Sequence, residues 1–277
     1  MIAYLTDLGL SNSVSHKSVQ EFLTPDGVLY IVMNRPEVQN AFNSKQIVLL
    51  TEALENAASN PEVKVVVLCG EGKNFCAGGD INYMKRMGQN SFQENKEDAL
   101  QLAHLMHTLN EFPKPTIARV NGAAYGGGVG LLCCCDMAFG TEDTKICLSE
   151  VKIGMVPATI APYVMNAIGL RNAHRLMLTA EVMQGQEAVN CNFLNAIFPT
   201  SEFSKKVDAL ALKITTNAPN ALEVTKSILL NLAHQPVDEG VIDYTADVIA
   251  SVRESEEGKE GLTSFIEKRK PNWTPKN

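Results

Sequence analysis

Asn74-Phe75-Cys76-Ala77-Gly78-Gly79-Asp80 and Asn121-Gly122-Ala123-Ala124-Tyr125-Gly126-Gly127-Gly128 are the two stretches on which the reading of this chain turns. Each follows a short β-branched run, Val65-Val66-Val67-Leu68 before the first and Pro115-Thr116-Ile117-Ala118-Arg119-Val120 before the second. Each leads into a segment that reads as the start of a helix. A strand, a glycine turn and a helix start leave backbone N–H groups free to meet a ligand. Two such turns brought together would aim two donors at one oxygen, the arrangement that stabilises an enolate or a tetrahedral oxyanion. Either turn alone reads better as a tight turn with close helix–sheet packing.

Working outward, Val28 to Asn34 reads as a strand that stops at Arg35-Pro36, and Asn43 or Ser44 caps a helix running to about Ala58. Val63 to Cys69 is a second strand. Leu102, Leu105, Met106, Leu109 and Phe112 mark a helix that ends before Pro113. The strand 115–120 and short strands near 136–140 and 145–148 follow. Strands alternating with helices predict an α/β domain with crossover connections. From about residue 159 the pattern is mostly helical, with apolar stripes over 203–214 and 241–252 and a last helix over 258–270. The domain reading is a loose extension over residues 1–18, a core over 19–200 and a C-terminal helical region over 201–277.

Composition narrows the class. At 277 residues, 45% apolar and 20% charged, the chain is long enough for a sizeable core. A net charge of -7 offers no basic excess for nucleic acid. The seven cysteines form no C-x-x-C pair and include Cys133-Cys134-Cys135, so they read as small buried residues in a reducing compartment. Met1 to Leu10 is broken by Asp7 and has no basic residues ahead of it, unlike a secretory leader. The longest apolar run, Gly126 to Cys135, is too short to span a bilayer. The expectation is a cytoplasmic protein with neither membrane nor nucleic-acid partners. His104 and His107, at i and i+3, read as a polar helix face, and no metal site is expected.

Further motifs surround the turns: Asn34-Arg35-Pro36 with Asn40-Ala41-Phe42, and Leu148-Ser149-Glu150-Val151-Lys152-Ile153-Gly154-Met155-Val156-Pro157. In order and spacing, over roughly residues 20–270, the set resembles the crotonase (enoyl-CoA hydratase/isomerase) superfamily. The resemblance implies a spiral of ββα units with a C-terminal helical trimerisation region, assembled as a homotrimer or a dimer of trimers. It implies an acyl-CoA substrate and no separate cofactor, coenzyme A being part of that substrate. The backbone N–H groups of Ala77 and Gly127 are then expected to hold the thioester oxygen. Asn40, Ala41, Gly78, Gly79, Asp80, Ile81, Gly126, Gly130, Pro157 and Lys268 are expected around the substrate. Asp80 also reads as the cap of the helix opening at Ile81.

The family's hydratases commonly use two glutamates. Glu150 fills one of the positions; near a buried strand end, desolvation would raise its pKa into the range of proton shuttling. Without that frame, Glu150 beside Lys152 reads as a surface ion pair. The other family position is occupied by Gly130, which has no acid–base group. Three readings stay open here: hydration by Glu150 alone, a single-base enoyl-CoA isomerase, and a catalytically weak acyl-CoA-binding or scaffold protein. Gly130 together with Pro157-Ala158-Thr159-Ile160-Ala161-Pro162-Tyr163-Val164 is most similar to the branch of methylglutaconyl-CoA hydratases. That branch implies a branched substrate with a distal carboxylate, for which Lys85, Arg86 and Lys152 are candidate partners.

Overall fold

In the computed structural model, which describes residues 1–11, 14–15, 17–233 and 235–274, the β-branched run before each glycine turn is a strand buried along almost its whole length. The chain opens with helix α1 (Ile2–Asp7), then strands β1 (Val14–Ser15), β2 (Val19–Leu23) and β3 (Val28–Met33). Helix α2 (Ser44–Ser59), strand β4 (Val65–Gly70) and helices α3 (Ile81–Met87) and α4 (Phe92–Asn110) follow. Next come β5 (Thr116–Val120), β6 (Ala123–Tyr125), α5 (Gly127–Cys134), β7 (Met137–Thr141) and β8 (Lys145–Cys147). The remaining elements are α6 (Ala161–Thr179), β9 (Met183–Gln184), α7 (Gln186–Asn190), β10 (Ala196–Phe198), α8 (Phe203–Thr215), α9 (Pro219–Leu232), α10 (Glu239–Glu254) and α11 (Glu256–Ile266).

The main sheet has the order β1-β2-β3-β4-β5-β7-β10, antiparallel through β3 and parallel beyond it. Every residue of β3 and β4 is buried, as parallel strands covered on both faces require. Alternation divides β4 between two cores. Val66 and Leu68 face the helices α2, α4, α5 and α6, whereas Val65, Val67 and Cys69 face α1 and α8.

A second, smaller sheet has the order β6-β8-β9. Single-residue bridges, Phe42 to Gly79 and Cys76 to Ala124, extend its pattern backwards along the chain. Each unit thus gives one strand to the large sheet, a strand or bridge to the second layer, and then a helix. This is the spiral of ββα units that the family resemblance implied, with helices α8–α11 closing the C-terminal part.

Residues 1–11 differ from the expected loose extension; Asn12, Ser13 and His16 lie outside the described residues. Leu5 of α1 is fully buried against Val28, Tyr30, Val67 and Phe203. The Tyr4 hydroxyl donates to Asp208, which also accepts from Tyr30 at 2.6 Å. Six helical residues are too few to show a period, so docking by one leucine and one tyrosine leaves no readable pattern.

Candidate active site

Both glycine turns are built by pairing across the second layer. Phe75 and Cys76 are fully buried, and Cys76 exchanges bonds with the second turn: its N–H donates to Ala123 O at 3.1 Å and its carbonyl accepts from Tyr125 N at 2.9 Å. Gly78 has φ +90° and lies so close to the other turn that an added Cβ would stand 3.1 Å from the Tyr125 carbonyl oxygen. A side chain there would push the two turns apart.

The pairing of Phe42 decides which amides remain free. Phe42 N–H donates to Gly78 O at 2.6 Å, and Asp80 N–H donates to Phe42 O at 2.8 Å. In a parallel ladder the residue between these two points its own N–H to the opposite edge. That residue is Gly79, and its N–H has no partner among the described residues. Ala77 N–H, expected to be one of the two donors, instead donates to Gln39 O at 3.0 Å. The free amide of the first turn is therefore that of Gly79, two residues beyond the expected Ala77. Gly127, the first residue of α5, also has an N–H without a partner among the described residues, as the first turn of a helix leaves it. The positive end of the short helix would add to its pull on any oxyanion placed there.

Gly79 and Gly127 line one cavity of about 630 Å³, together with Glu150 and Pro157. Glu150 opens a 3-10 turn (Glu150–Ile153) just after β8, which is fixed by its pairing with β6 and β9. Its Oε1 would stand 3.2 Å from a Cβ placed on Gly126, so the carboxylate lies against the second glycine turn. Its Oε2 is buried with no hydrogen-bond partner. Burial raises the pKa of Glu150, opposed only in part by a bond from its own backbone N–H. Lys152, the partner a surface ion pair would use, is exposed and pairs with none of the described carboxylates.

Gly130 lies one turn into α5. A Cβ there would collide with Ile160 Cγ2 and stand 3.0 Å from Ile160 Cβ and 3.1 Å from Met106 Cε. The space a second glutamate would need is filled by apolar side chains, and Ile160 itself forms part of the cavity wall.

The other expected residues frame the site without lining the cavity. The Asn40 side chain is wholly buried; it accepts from Arg35 N at 2.8 Å and donates to Glu71 O at 2.9 Å and Asn74 O at 2.8 Å, tying down the first turn. Ala41 offers its carbonyl to Arg35 Nη1 at 2.7 Å. Asp80 caps α3 through Asn82 N and Tyr83 N and pairs with Arg35 Nη2 at 2.8 Å. Burial works against its charge, but Arg35 and the two amides outweigh it and hold the carboxyl below the usual range. Ile81 is 67% exposed at the start of α3. Lys268 is exposed beyond α11, away from the cavity lining.

The sequence reading missed Tyr83 and Met84 on α3, and Asn95, Asp98 and Leu102 on α4, all of which line the cavity. The spacing 95, 98, 102 is a helical stripe, but it runs into the stripe of Leu105, Met106 and Leu109 and reads as core. The Tyr83 hydroxyl donates to Asp98 Oδ2.

A fold of this kind, with free N–H groups from two turns beside a desolvated glutamate, is that of an acyl-thioester enzyme. The family profile for enoyl-CoA hydratase/isomerase matches residues 24–276. An enoyl-CoA hydratase structure from Shewanella pealeana is 39% identical, with a TM-score of 0.89 over 92% of this chain and 96% of that one. The crotonyl-CoA hydratase of Syntrophomonas wolfei is 30% identical over 90% of this chain and 94% of its own length. The peroxisomal Delta(3,5)-Delta(2,4)-dienoyl-CoA isomerase of Arabidopsis thaliana is also 30% identical, over 90% of this chain and 94% of its own length. The chain belongs to the enoyl-CoA hydratase/isomerase family and is an enzyme of the enoyl-CoA hydratase type.

Proposed function

We propose that the protein adds water across the C2–C3 double bond of an enoyl-CoA thioester, with Glu150 as its one acid/base group. The observation that carries this reading is the buried, unpartnered Glu150 Oε2 in a cavity that also presents the free N–H groups of Gly79 and Gly127. Those two amides hold the thioester oxygen. Glu150 takes a proton from water, the hydroxide oxygen bonds to C3, and the double-bond electrons move onto the thioester oxygen as an enolate. The protonated Glu150 then gives its proton to C2, which restores both the thioester carbonyl and the carboxylate. One glutamate completes the cycle because the proton it removes is the one it returns. Each amide is worth about 3–4 kcal/mol of barrier, the usual loss when one such donor is removed. The scheme asks for no cofactor beyond the coenzyme A carried by the substrate.

Isomerisation is the second reading, and the apolar wall of Ile160 and Met106 at Gly130 favours it. With no polar group there to share the water, Glu150 could instead carry a proton from one carbon of the acyl chain to another. Product mass separates the two: hydration adds one water, isomerisation adds nothing. Glu150→Gln is expected to lose activity by about 10²–10⁴-fold while still binding a CoA ester. An unchanged rate would overturn the role of Glu150.

For the acyl group, the expectation of a distal carboxylate has little support in the lining. Lys85, Arg86 and Lys152 are exposed and outside the cavity; among the described residues its lining has no lysine, arginine or histidine, and its charged side chains are Glu150 and Asp98. An uncharged acyl chain suits this lining better than a 3-methylglutaconyl-like one. The proposed assembly is a homotrimer or dimer of trimers, supported by the exposed apolar side chains Leu229, Ile242, Ile249, Leu262 and Phe265 on α9–α11. We place the enzyme in the cytoplasm, in keeping with seven cysteines that are all free; no helix of the described residues is long and apolar enough to cross a membrane.

A further inference from the structure

We propose that the α3–α4 wall of the cavity selects an acyl chain that carries a neutral hydrogen-bond donor, a hydroxyl group, away from its thioester end. This rests on the acyl-CoA reading above and narrows its substrate class. The α4 face of the cavity runs from Asn95 and Asp98 through Leu102, and one turn further on Met106 abuts Gly130. Asp98 and Met106 are eight residues apart, about 12 Å along the helix. The polar pair of residues is therefore well removed from Gly130, with Leu102 between, and Asp98 cannot stand in for the missing second glutamate beside the reacting double bond.

What this wall offers is hydrogen-bond acceptors. Asp98 takes the Tyr83 hydroxyl on Oδ2, and Ser44 Oγ lies 3.5 Å from Oδ1. An ionised carboxylate has about four acceptor positions, so Asp98 keeps capacity for a further donor. Asn95 Oδ1 is buried without a partner, its Nδ2 being turned to Asn90 O at 3.5 Å. A wholly apolar chain filling the cavity would strip water from the Asp98 carboxylate and return nothing, whereas a hydroxyl replaces the donor that water supplied. A chain ending in a carboxylate would meet Asp98 as a like charge, with no cation among the described lining residues to offset it.

The test compares medium-chain 2-enoyl-CoA thioesters of equal length that end in methyl, hydroxyl or carboxylate. The wild-type enzyme is expected to favour the hydroxyl over the methyl compound about tenfold in kcat/KM, through KM, the worth of one hydrogen bond to a charged group. The carboxylate compound is expected to be the poorest. Asp98→Leu should reverse the hydroxyl-over-methyl preference, and Asp98→Asn, which keeps an acceptor and the shape, should retain part of it. Calorimetric Kd values for the saturated acyl-CoA and ω-hydroxyacyl-CoA read the same ratio without turnover. A retained Kd ratio with no turnover of any thioester would sink the hydratase reading and leave this one standing. A hydroxyl-to-methyl ratio within twofold in the wild type overturns the proposal, as does a ratio indifferent to both Asp98 variants or a preference for the carboxylate.

Discussion

Gly130→Ala probes the departure that most separates this site from a two-glutamate hydratase. In most helices the exchange is favourable, since glycine costs about 1 kcal/mol relative to alanine. Here the new Cβ would collide with Ile160 Cγ2 and press on Ile160 Cβ at 3.0 Å and Met106 Cε at 3.1 Å. Ile160 is 1% exposed and is packed on every side but the cavity it lines, so it can yield only by moving into the site. Overpacking of this kind costs about 1–3 kcal/mol. Set against the gain in helix propensity, the net expectation is a loss of about 1 kcal/mol. Ile160→Ala removes Cγ2; it costs about 2–5 kcal/mol by itself, but in that background Gly130→Ala should stabilise by about 1 kcal/mol. The coupling between the two sites is then about 2 kcal/mol, within the range for residues in contact. Denaturant unfolding of the four proteins measures it, and thermal midpoints should move by about 2–4 °C per kcal/mol. If Gly130→Ala stabilises the protein with Ile160 intact, or shifts both backgrounds equally, the space at Gly130 is open. The steric reason for the missing second carboxylate would then be wrong.

The two oxyanion donors should respond differently to an added methyl group. In Gly127→Ala the Cβ would stand 2.7 Å from Phe42 Cε2 and 3.0 Å from Cδ2, displacing either the ring or the amide, and kcat should fall about 10²–10³-fold. In Gly79→Ala the Cβ would meet only Met84 Cγ at 3.2 Å and Sδ at 3.4 Å, a flexible side chain that can yield, and kcat should stay within a few-fold; equal losses would contradict this geometry. The kcat/KM–pH profile should fall on the acid side around a pKa above the ordinary glutamate value of about 4.3, because Glu150 must be ionised to accept the proton of water. The same shift has a stability sign. A carboxyl whose folded pKa is raised favours folding below its unfolded pKa and loses that contribution as pH rises through the folded value. Glu150→Gln should therefore gain stability over the wild type with rising pH and keep the advantage at neutrality; a less stable variant at pH 7 would refute the unpartnered carboxylate. Leu5→Ala should destabilise by about 2–5 kcal/mol in urea unfolding, since Leu5 is 0% exposed; no change would mean that α1 is not docked.

Much of the architecture could be read from local patterns because the forces behind it are local. The β-branched runs became β4 and β5, and Asn43 caps α2 by accepting from Gln46 N at 2.9 Å. Asp80 caps α3 as expected, and α4 ends at Asn110, three residues before Pro113. Glu150 was legible as well, but only through motif order, since a lone glutamate beside a lysine otherwise reads as a surface pair. What could not be read depends on partners far along the chain. The fate of the Ala77 and Gly79 amides is set by Gln39 and Phe42, nearly forty residues upstream. Period two means that a shift of one residue in that pairing would turn the Gly79 amide inward and free that of a neighbour instead. No feature within the turn itself distinguishes them.

The same reasoning explains why the acyl wall was invisible. Asn95 and Asp98 share a helical stripe with Leu102, Leu105 and Met106, and the N-terminal part of that stripe faces the cavity while the rest faces core. A stripe that changes from polar to apolar along one helix is ambiguous: the polar end could equally be solvated. It becomes a specificity element because Tyr83 covers it, and Tyr83 is placed there by a helix that starts only where Asp80 caps it. Asp80 is itself anchored by Arg35, whose backbone N–H and carbonyl are bound in turn to Asn40. Of the Asn34-Arg35-Pro36 and Asn40-Ala41-Phe42 motifs only Phe42 lines the cavity, yet together they position both ends of the site. Through Phe42 they free the Gly79 amide, and through Arg35 and Asp80 they set the wall that receives the acyl chain.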